Sequence, residues 1–556
     1  MTTPATCSTT TERFATTKSI KTEQSGSLAG RTMIGLVFFS LLLCGQFLSA
    51  QGYADLYDFP AHSGGCCPQH PSLMAEGRDG NLYGITSSGG ASNIGIVFKV
   101  SPSGTYKQLY SFDTVHGSTP VGGLLLGLDG NLYGTTEEGG AYGFGNIFRI
   151  TPAGALTVIH DFTGDSTKDG GFPVSPLIIG ADGAMYGTTH PGIVYKITQS
   201  GVFSRVATTQ SESFGPLLLA SNGSYYGTTE FAGATQNGSI YKVSGSTSTI
   251  LYSFDGPHGQ FPIGGLVQGN DGNLYGTTTA GGTENAGVIF RITPTGTYSV
   301  VYNFSSNNYL FGYQAFAGLI AGSDGNLYGA TIWGGQNGAG VIFEITTSGA
   351  YSVLASFDVP DGDGAYATPI QHTSGAIFGL NKRGGALGNG TVFGFNAGLP
   401  RFAQLNSPVG LVGGTVGILG AGFATASSVS FNGTPASFHV VSNTFMTATI
   451  PSGETGFVTV TTSAGTLTSN KVFKVVPQVL SFSPTSGKPG DAIVLTGTGL
   501  IQTETIGVGG VRVNAYTVNS DSQVTFTVPN GAKTGKIGVI TPGGSAQSKT
   551  TFTVTQ

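Results

Sequence analysis

The chain has 556 residues, too many for one ordinary core, and 92 of them are glycine, more than twice the usual share of ~7%. Charged residues make up only 9% against about 25% in ordinary globular proteins, while hydrophobic residues reach 39%, which excludes a disordered chain. The net charge of −5 with no basic run excludes a nucleic-acid partner, because such binding needs Lys and Arg against phosphates.

The first element in chain order is a leader. Met33 to Leu48 is apolar and uncharged, follows Arg31, and ends in Leu48-Ser49-Ala50. A basic flank, a short apolar run and a small-residue end predict a secretory signal peptide over residues 1–50, cleaved after Ala50. The alternative is an uncleaved anchor, although sixteen apolar residues are short against the ~20 of a membrane span. No membrane contact is expected beyond this leader, and its removal leaves the mature chain at −7. Of four cysteines only the adjacent Cys66-Cys67 remain after cleavage, and two ligands do not make a metal site.

Residues 51–398 carry an internal repeat. Asp-Gly-Asn-Leu-Tyr-Gly begins at Asp79, Asp129, Asp271 and Asp324, with looser copies at Asp182, Asn222 and Ser374. The intervals are 50, 53, 40, 49, 53 and 50 residues, so seven units are predicted. In the second unit, strand a is the apolar run Val121 to Leu128, and Asp129-Gly130-Asn131 is a hairpin turn that needs positive φ. Strand b is Leu132 to Thr136, strand c Ile147 to Ile150, and strand d Leu156 to Phe162 after a Thr-Pro-Ala-Gly turn. Four strands per unit, seven times over, predict a seven-bladed β-propeller. Strand d ends in an aromatic at Phe112, Phe162, Phe254, Phe304 and Phe357. A matching orphan, Leu56-Tyr57-Asp58-Phe59, precedes the first unit, and the seventh unit stops after its strand c at Phe395, so the orphan is expected to complete blade seven. The Asp of each turn is expected to cap that turn rather than bind calcium.

The unit, Gly-Asn-Leu-Tyr-Gly-Thr-Thr followed by a Gly-Gly doublet, a Phe-Arg strand and a Thr-Pro-x-Gly turn, resembles the tandem repeat called GloVer, found in large bacterial surface or exported proteins. The resemblance covers roughly Tyr53 to Asn396 and implies architecture more than chemistry. Kelch repeats have a similar period and doublet but carry a repeated Trp, and this chain has one Trp in all.

Residues 399–477 and 478–556 are two copies of a shorter pattern. Each opens near a Ser-Pro (Ser407-Pro408; Ser483-Pro484), continues through a Gly-rich strand, passes Ile450-Pro451 or Val528-Pro529, and closes on Phe-x-Val. Short alternating strands with frequent turns predict a sandwich. Both copies resemble IPT/TIG domains, whose immunoglobulin-like fold implies a spacer or attachment role. The fold class expected for the whole chain is all-β: a propeller followed by two immunoglobulin-like sandwiches.

No nucleophile elbow, zinc-protease motif or phosphate loop occurs. No catalytic residue, metal ligand or cofactor is expected. His116 and His258 occupy equivalent loops and predict a shared turn contact. The a–b and c–d connections are tight turns, so ligand-binding variation is expected on the opposite face, among the b–c and d–a loops. There the loop entering blade six carries Tyr309, Phe311, Tyr313 and Phe316, and the b–c loop of that blade carries Trp333. Tyr309, Phe311, Tyr313 and Trp333 are the candidate ligand-binding residues; the alternative is that they only pack the loop. The expectation is a monomeric, secreted or cell-surface recognition or adhesion protein, its ligand a polysaccharide or surface protein. The alternative is a propeller enzyme such as a lyase. Streptogramin-inactivating lyases share the fold, but no His-Glu-His set here aligns with theirs.

Overall fold

The computed structural model describes residues 52–60, 73–360 and 362–556. The leader and the Cys66-Cys67 pair lie outside the described residues. Only two short 3-10 turns interrupt the β-structure among the described residues, at Tyr309–Phe311 and Phe423–Thr425, and none of their helices is long and apolar enough to cross a membrane.

Between Gly52 and Asn396 the strands form seven four-stranded antiparallel sheets. Each sheet is built as the repeat dictates. Strand c of blade one, Ile96–Val100, is buried at four of five positions, whereas strand d, Tyr106–Ser111, is half-buried throughout its last four residues. The more deeply buried strand therefore lies inside its sheet, and the half-buried one at the outer edge. Neighbouring sheets share seven apolar clusters. One joins Phe112 of blade one to Phe148 of blade two, and the series closes where Phe378 of blade seven meets Leu82 and Phe98 of blade one. The sheets thus form a closed ring.

The orphan strand closes it. Gly52–Asp58 pairs antiparallel with Thr391–Asn396, from Gly52 opposite Asn396 to Asp58 opposite Thr391. Phe59 follows fully buried against Phe98, its ring centroid 5.4 Å away. The strand begins four residues earlier than the Leu56–Phe59 repeat signal.

Strand a differs from the expectation. Blade two has a nine-residue strand, Ser118–Leu126, whose register shifts between Pro120 and Leu124; the other blades have two residues, such as Leu218–Leu219. A Cβ at Gly215 would lie 2.4 Å from the backbone nitrogen of Gly265 in the next blade, and one at Gly264 would lie 2.8 Å from Gly318 Cα. The backbones entering strand a of adjacent blades therefore pack directly against one another.

The turn chemistry matches the expectation. Asp79 Oδ1 accepts the Asn81 amide hydrogen at 3.2 Å, and its Oδ2 accepts from Asn81 Nδ2 at 2.7 Å and from the Tyr83 hydroxyl at 2.9 Å. The same set recurs at Asp129, Asp271 and Asp324. The basic residue of strand c joins it: Lys99 lies 3.5 Å from Asp79, and Lys196 lies 3.0 Å from Asp182. Where blade six carries Glu344 instead, that carboxylate accepts from Asn326 Nδ2 at 2.6 Å.

The C-terminal residues form two sandwiches, each of two four-stranded sheets with a short parallel pair. Their separate cores centre on Phe423, Met446 and Phe473, and on Leu495, Phe526 and Phe552.

Candidate functional site

Strands alternate direction, so a propeller has two loop faces, and here the a–b turns form one of them. The first sandwich covers that face. Thr444 donates from its hydroxyl to the Arg78 carbonyl at 2.8 Å, and the Arg78 guanidinium lies 4.3 Å from the Phe445 ring centroid. The Phe402 amide donates to the Thr373 carbonyl at 3.2 Å, the Ser323 hydroxyl donates to the Pro400 carbonyl at 2.8 Å, and Lys474 donates to the Ser221 carbonyl. Arg78, Ser221, Ser323 and Thr373 belong to the a–b turns of blades one, four, six and seven. Contacts at such separated blades lay the sandwich across the face.

The free face carries the d–a and b–c loops, and its chemistry varies by sector. At the equivalent positions where strand b gives way to the b–c loop, blade two has Glu137-Glu138, blade four Glu230-Phe231, blade six Ile332-Trp333 and blade seven Lys382-Arg383. Around blades two to four the sector is acidic. Burial raises the Glu137 carboxyl above its usual range, with Glu138 and Glu212 adding to the rise. Burial and then the Glu212 charge push Glu230 up to about 7. Glu212 is itself 2.7 Å from His190 Nδ1.

Around blades six and seven the sector is aromatic and cationic. Trp333 is half-buried, pinned by backbone hydrogen bonds with Tyr313 in both directions, at 2.9 and 3.4 Å. The Arg383 guanidinium lies 5.1 Å from its ring centroid. Lys382 Nζ lies 4.5 Å from the ring of Tyr366, which in turn sits 5.0 Å from Phe316. Asp363 Oδ2 is 3.7 Å from Arg383 Nε.

The four sequence-predicted residues divide between two settings. Tyr309 and Phe311 form the 3-10 turn, 54% and 39% exposed, and Phe311 leans on Tyr351 of strand d, with 6.3 Å between centroids. Tyr313 and Trp333 are half-buried beside blade seven. Sequence reasoning missed Tyr366, Lys382 and Arg383. The signal was present, since aligning the residues after strand b singles out Lys382-Arg383 as the unit with two adjacent cations. His116 and His258 make the expected turn contact, each ring nitrogen bonding the Asp three residues before it, at 2.8 and 2.7 Å. Among the described residues, no group of three or more His, Cys, Asp or Glu is placed to hold a metal ion.

Residues 35–196 and 167–320, together just over half of the chain, match the family model described as Gloeobacter/Verrucomicrobia repeat. The chain belongs to the Gloeobacter/Verrucomicrobia repeat family. Residues 400–475 and 477–554 each match the IPT/TIG domain. The matched Gloeobacter/Verrucomicrobia repeats thus span the first five blades of the ring, and the first TIG domain covers its a–b face. No curated protein matches the chain. Among solved structures, virginiamycin B lyase from Staphylococcus aureus is 18% identical with a TM-score of 0.44, over 62% of this chain and 98% of its own. The extracellular domain of a hybrid two-component system from B. thetaiotaomicron is 14% identical with a TM-score of 0.42, over 86% and 63%. A surface glycan-binding protein from Prevotella bryantii is 21% identical with a TM-score of 0.21, over 26% and 37%. With TM-scores under 0.5, these likenesses fix neither fold nor function.

Proposed function

We propose that this is an exported recognition protein whose propeller binds an extracellular saccharide on its free face, while the TIG domains serve as spacer or attachment modules. The observation that carries the reading is the rim of blades six and seven. There Trp333, Tyr366 and Phe316 stand on loops held by a rigid ring, on the face the first TIG domain leaves open. Aromatic rings offer flat apolar area at low entropic cost and suit the C–H faces of sugars. Export rests on the apolar Met33–Leu48 segment.

The test is calorimetric titration of the mature chain with a panel of cell-wall oligosaccharides, repeated with Trp333→Ala and Tyr309→Ala. Loss of binding in Trp333→Ala supports the rim as the site. Binding that survives both substitutions removes it.

A lyase is the second reading, favoured by the acidic sector, where Glu230 is raised to about 7 close to the His190–Glu212 pair. Formation of an unsaturated product, abolished by His190→Ala, would establish it.

A further inference from the structure

Few cations occur in this chain, 23 Lys and Arg in 556 residues, yet two adjacent ones stand where blade seven leaves strand b. Each lies against an aromatic ring, Lys382 Nζ 4.5 Å from Tyr366 and the Arg383 guanidinium 5.1 Å from Trp333. Among the described residues Asp363 pairs with Arg383, its Oδ2 3.7 Å from Nε, and burial raises the Asp363 carboxyl above its usual range against the pull of Arg383. The Lys382 ammonium is held below its usual range by burial and then by the charge of Arg383. Two adjacent cations therefore stand together in a protein that is negative overall, with Asp358, Asp361 and Asp363 preceding Tyr366 in the sequence. Around the same face Glu137, Glu138, Glu212 and Glu230 form the opposite sign.

A neutral sugar would use the aromatic rings and accept hydrogen bonds from the two cations through its hydroxyls, without matching their charge. A carboxylate uses both, because a guanidinium fork donates two parallel hydrogen bonds to it and an ammonium donates a third charge-assisted one. The acidic sector repels the same ligand and confines it to blades six and seven. We propose that the rim between blades six and seven binds an acidic oligosaccharide, its uronate carboxylate held by Lys382 and Arg383 and its ring faces laid on Trp333 and Tyr366. This rests on the saccharide reading above and assigns its ligand class.

The test is fluorescence titration of the mature chain, in which Trp333 is the sole Trp, with three oligosaccharides of equal length. They are an oligogalacturonate, its neutral methyl ester and a sulfated analogue, each measured at about 50 mM and about 500 mM salt. The oligogalacturonate is expected to bind about tenfold more tightly than its ester at low salt and to lose most of that advantage at high salt. Lys382→Gln and Arg383→Gln are each expected to cost about tenfold for the acid and little for the ester. Glu230→Gln is expected to leave acid binding unchanged or tighten it. Equal binding of acid and ester would overturn the charge assignment while leaving the saccharide reading intact. Tighter binding of the sulfated form would overturn the carboxylate in favour of sulfate. No binding of any of the three would overturn the saccharide reading itself. The acid–ester comparison uses the unsubstituted protein, so a variant that fails to fold does not blunt it.

Discussion

Glu76, the last residue of strand a in blade one, accepts the backbone amide hydrogen of Thr373 in blade seven at 2.8 Å. Its other oxygen accepts from the Thr373 hydroxyl at 2.6 Å and lies 3.2 Å from His372 Nε2. The equivalent residue is Gln in blades five and seven. Gln371 accepts from the Ser323 amide at 2.9 Å and donates to the Ser323 hydroxyl at 2.8 Å, and Gln268 accepts from the Ser221 amide at 2.8 Å. One clasp thus recurs at three of the seven blade junctions, and at the ring seam a carboxylate takes the place of an amide.

That substitution makes a pH prediction. Burial raises the Glu76 carboxyl above its usual range, an effect that His372 and then the Thr373 hydrogen bonds only partly offset. A group raised in the folded state contributes stability that is complete below its unfolded pKa and is lost as pH rises through the folded value. Glu76→Gln, which can copy the Gln371–Ser323 geometry, is therefore expected to raise the melting temperature near pH 8. The gain is expected to shrink toward pH 5. Each kcal/mol released corresponds to roughly 2–4 °C. A variant that melts lower than the parent at pH 8 would contradict this account of the seam.

Ring closure predicts the effect of losing the first strand. Phe59→Ala removes a fully buried ring and is expected to cost about 3–5 kcal/mol, and deleting residues 52–59 is expected to abolish cooperative unfolding of the ring. Chemical denaturation followed by circular dichroism measures both. Unchanged melting of the deletion would refute closure by this strand.

The turn carboxylates predict a different pH response. In Asp79, Asp182 and Asp271 burial alone would raise the pKa, but the side-chain and backbone hydrogen bonds together, with the basic partner, bring it below the usual value. Their contribution is present above the unfolded pKa and is lost as pH falls through the folded value. Asp271→Ala is expected to cost about 0.5–2 kcal/mol at pH 7 and less near pH 3, by analogy with other Asp caps. A chelator is expected to leave the melting temperature of the parent unchanged; a calcium-dependent rise would replace the capping role with a metal site.

Docking of the first TIG domain is expected to depend on Arg78. Arg78→Ala removes the contact with Phe445 and a 2.5 Å hydrogen bond to the Leu128 carbonyl, and is expected to cost about 1–3 kcal/mol. Faster hydrogen exchange at the Arg78, Thr373 and Thr444 segments checks it.

Much of the ring was legible because its signals are local. Asp-Gly-Asn-Leu-Tyr-Gly sets a turn, a cap and a buried Tyr within six residues, and the aromatic ending strand d marked the orphan strand before residue 60. The clasp was hidden because its acceptor varies between Glu76, Gln268 and Gln371 and is absent from other blades. TIG docking was hidden for another reason: four of its acceptors are the backbone carbonyls of Arg78, Ser221, Thr373 and Pro400, which leave no side-chain signature. At the candidate site, the aromatic residues stood out by composition. Lys382 and Arg383 did not, because their meaning comes from rings on neighbouring loops, Tyr366 and Trp333.

Hydrogen exchange of the mature chain with and without a saturating oligogalacturonate tests the central claim, that the face opposite the first TIG domain holds the ligand. Protection is expected in residues 313–316, 331–335, 363–366 and 381–385, with no change at the a–b turns around Arg78, Ser323 and Thr373. Protection of those turns, or of none of the rim segments under saturating ligand, would contradict it.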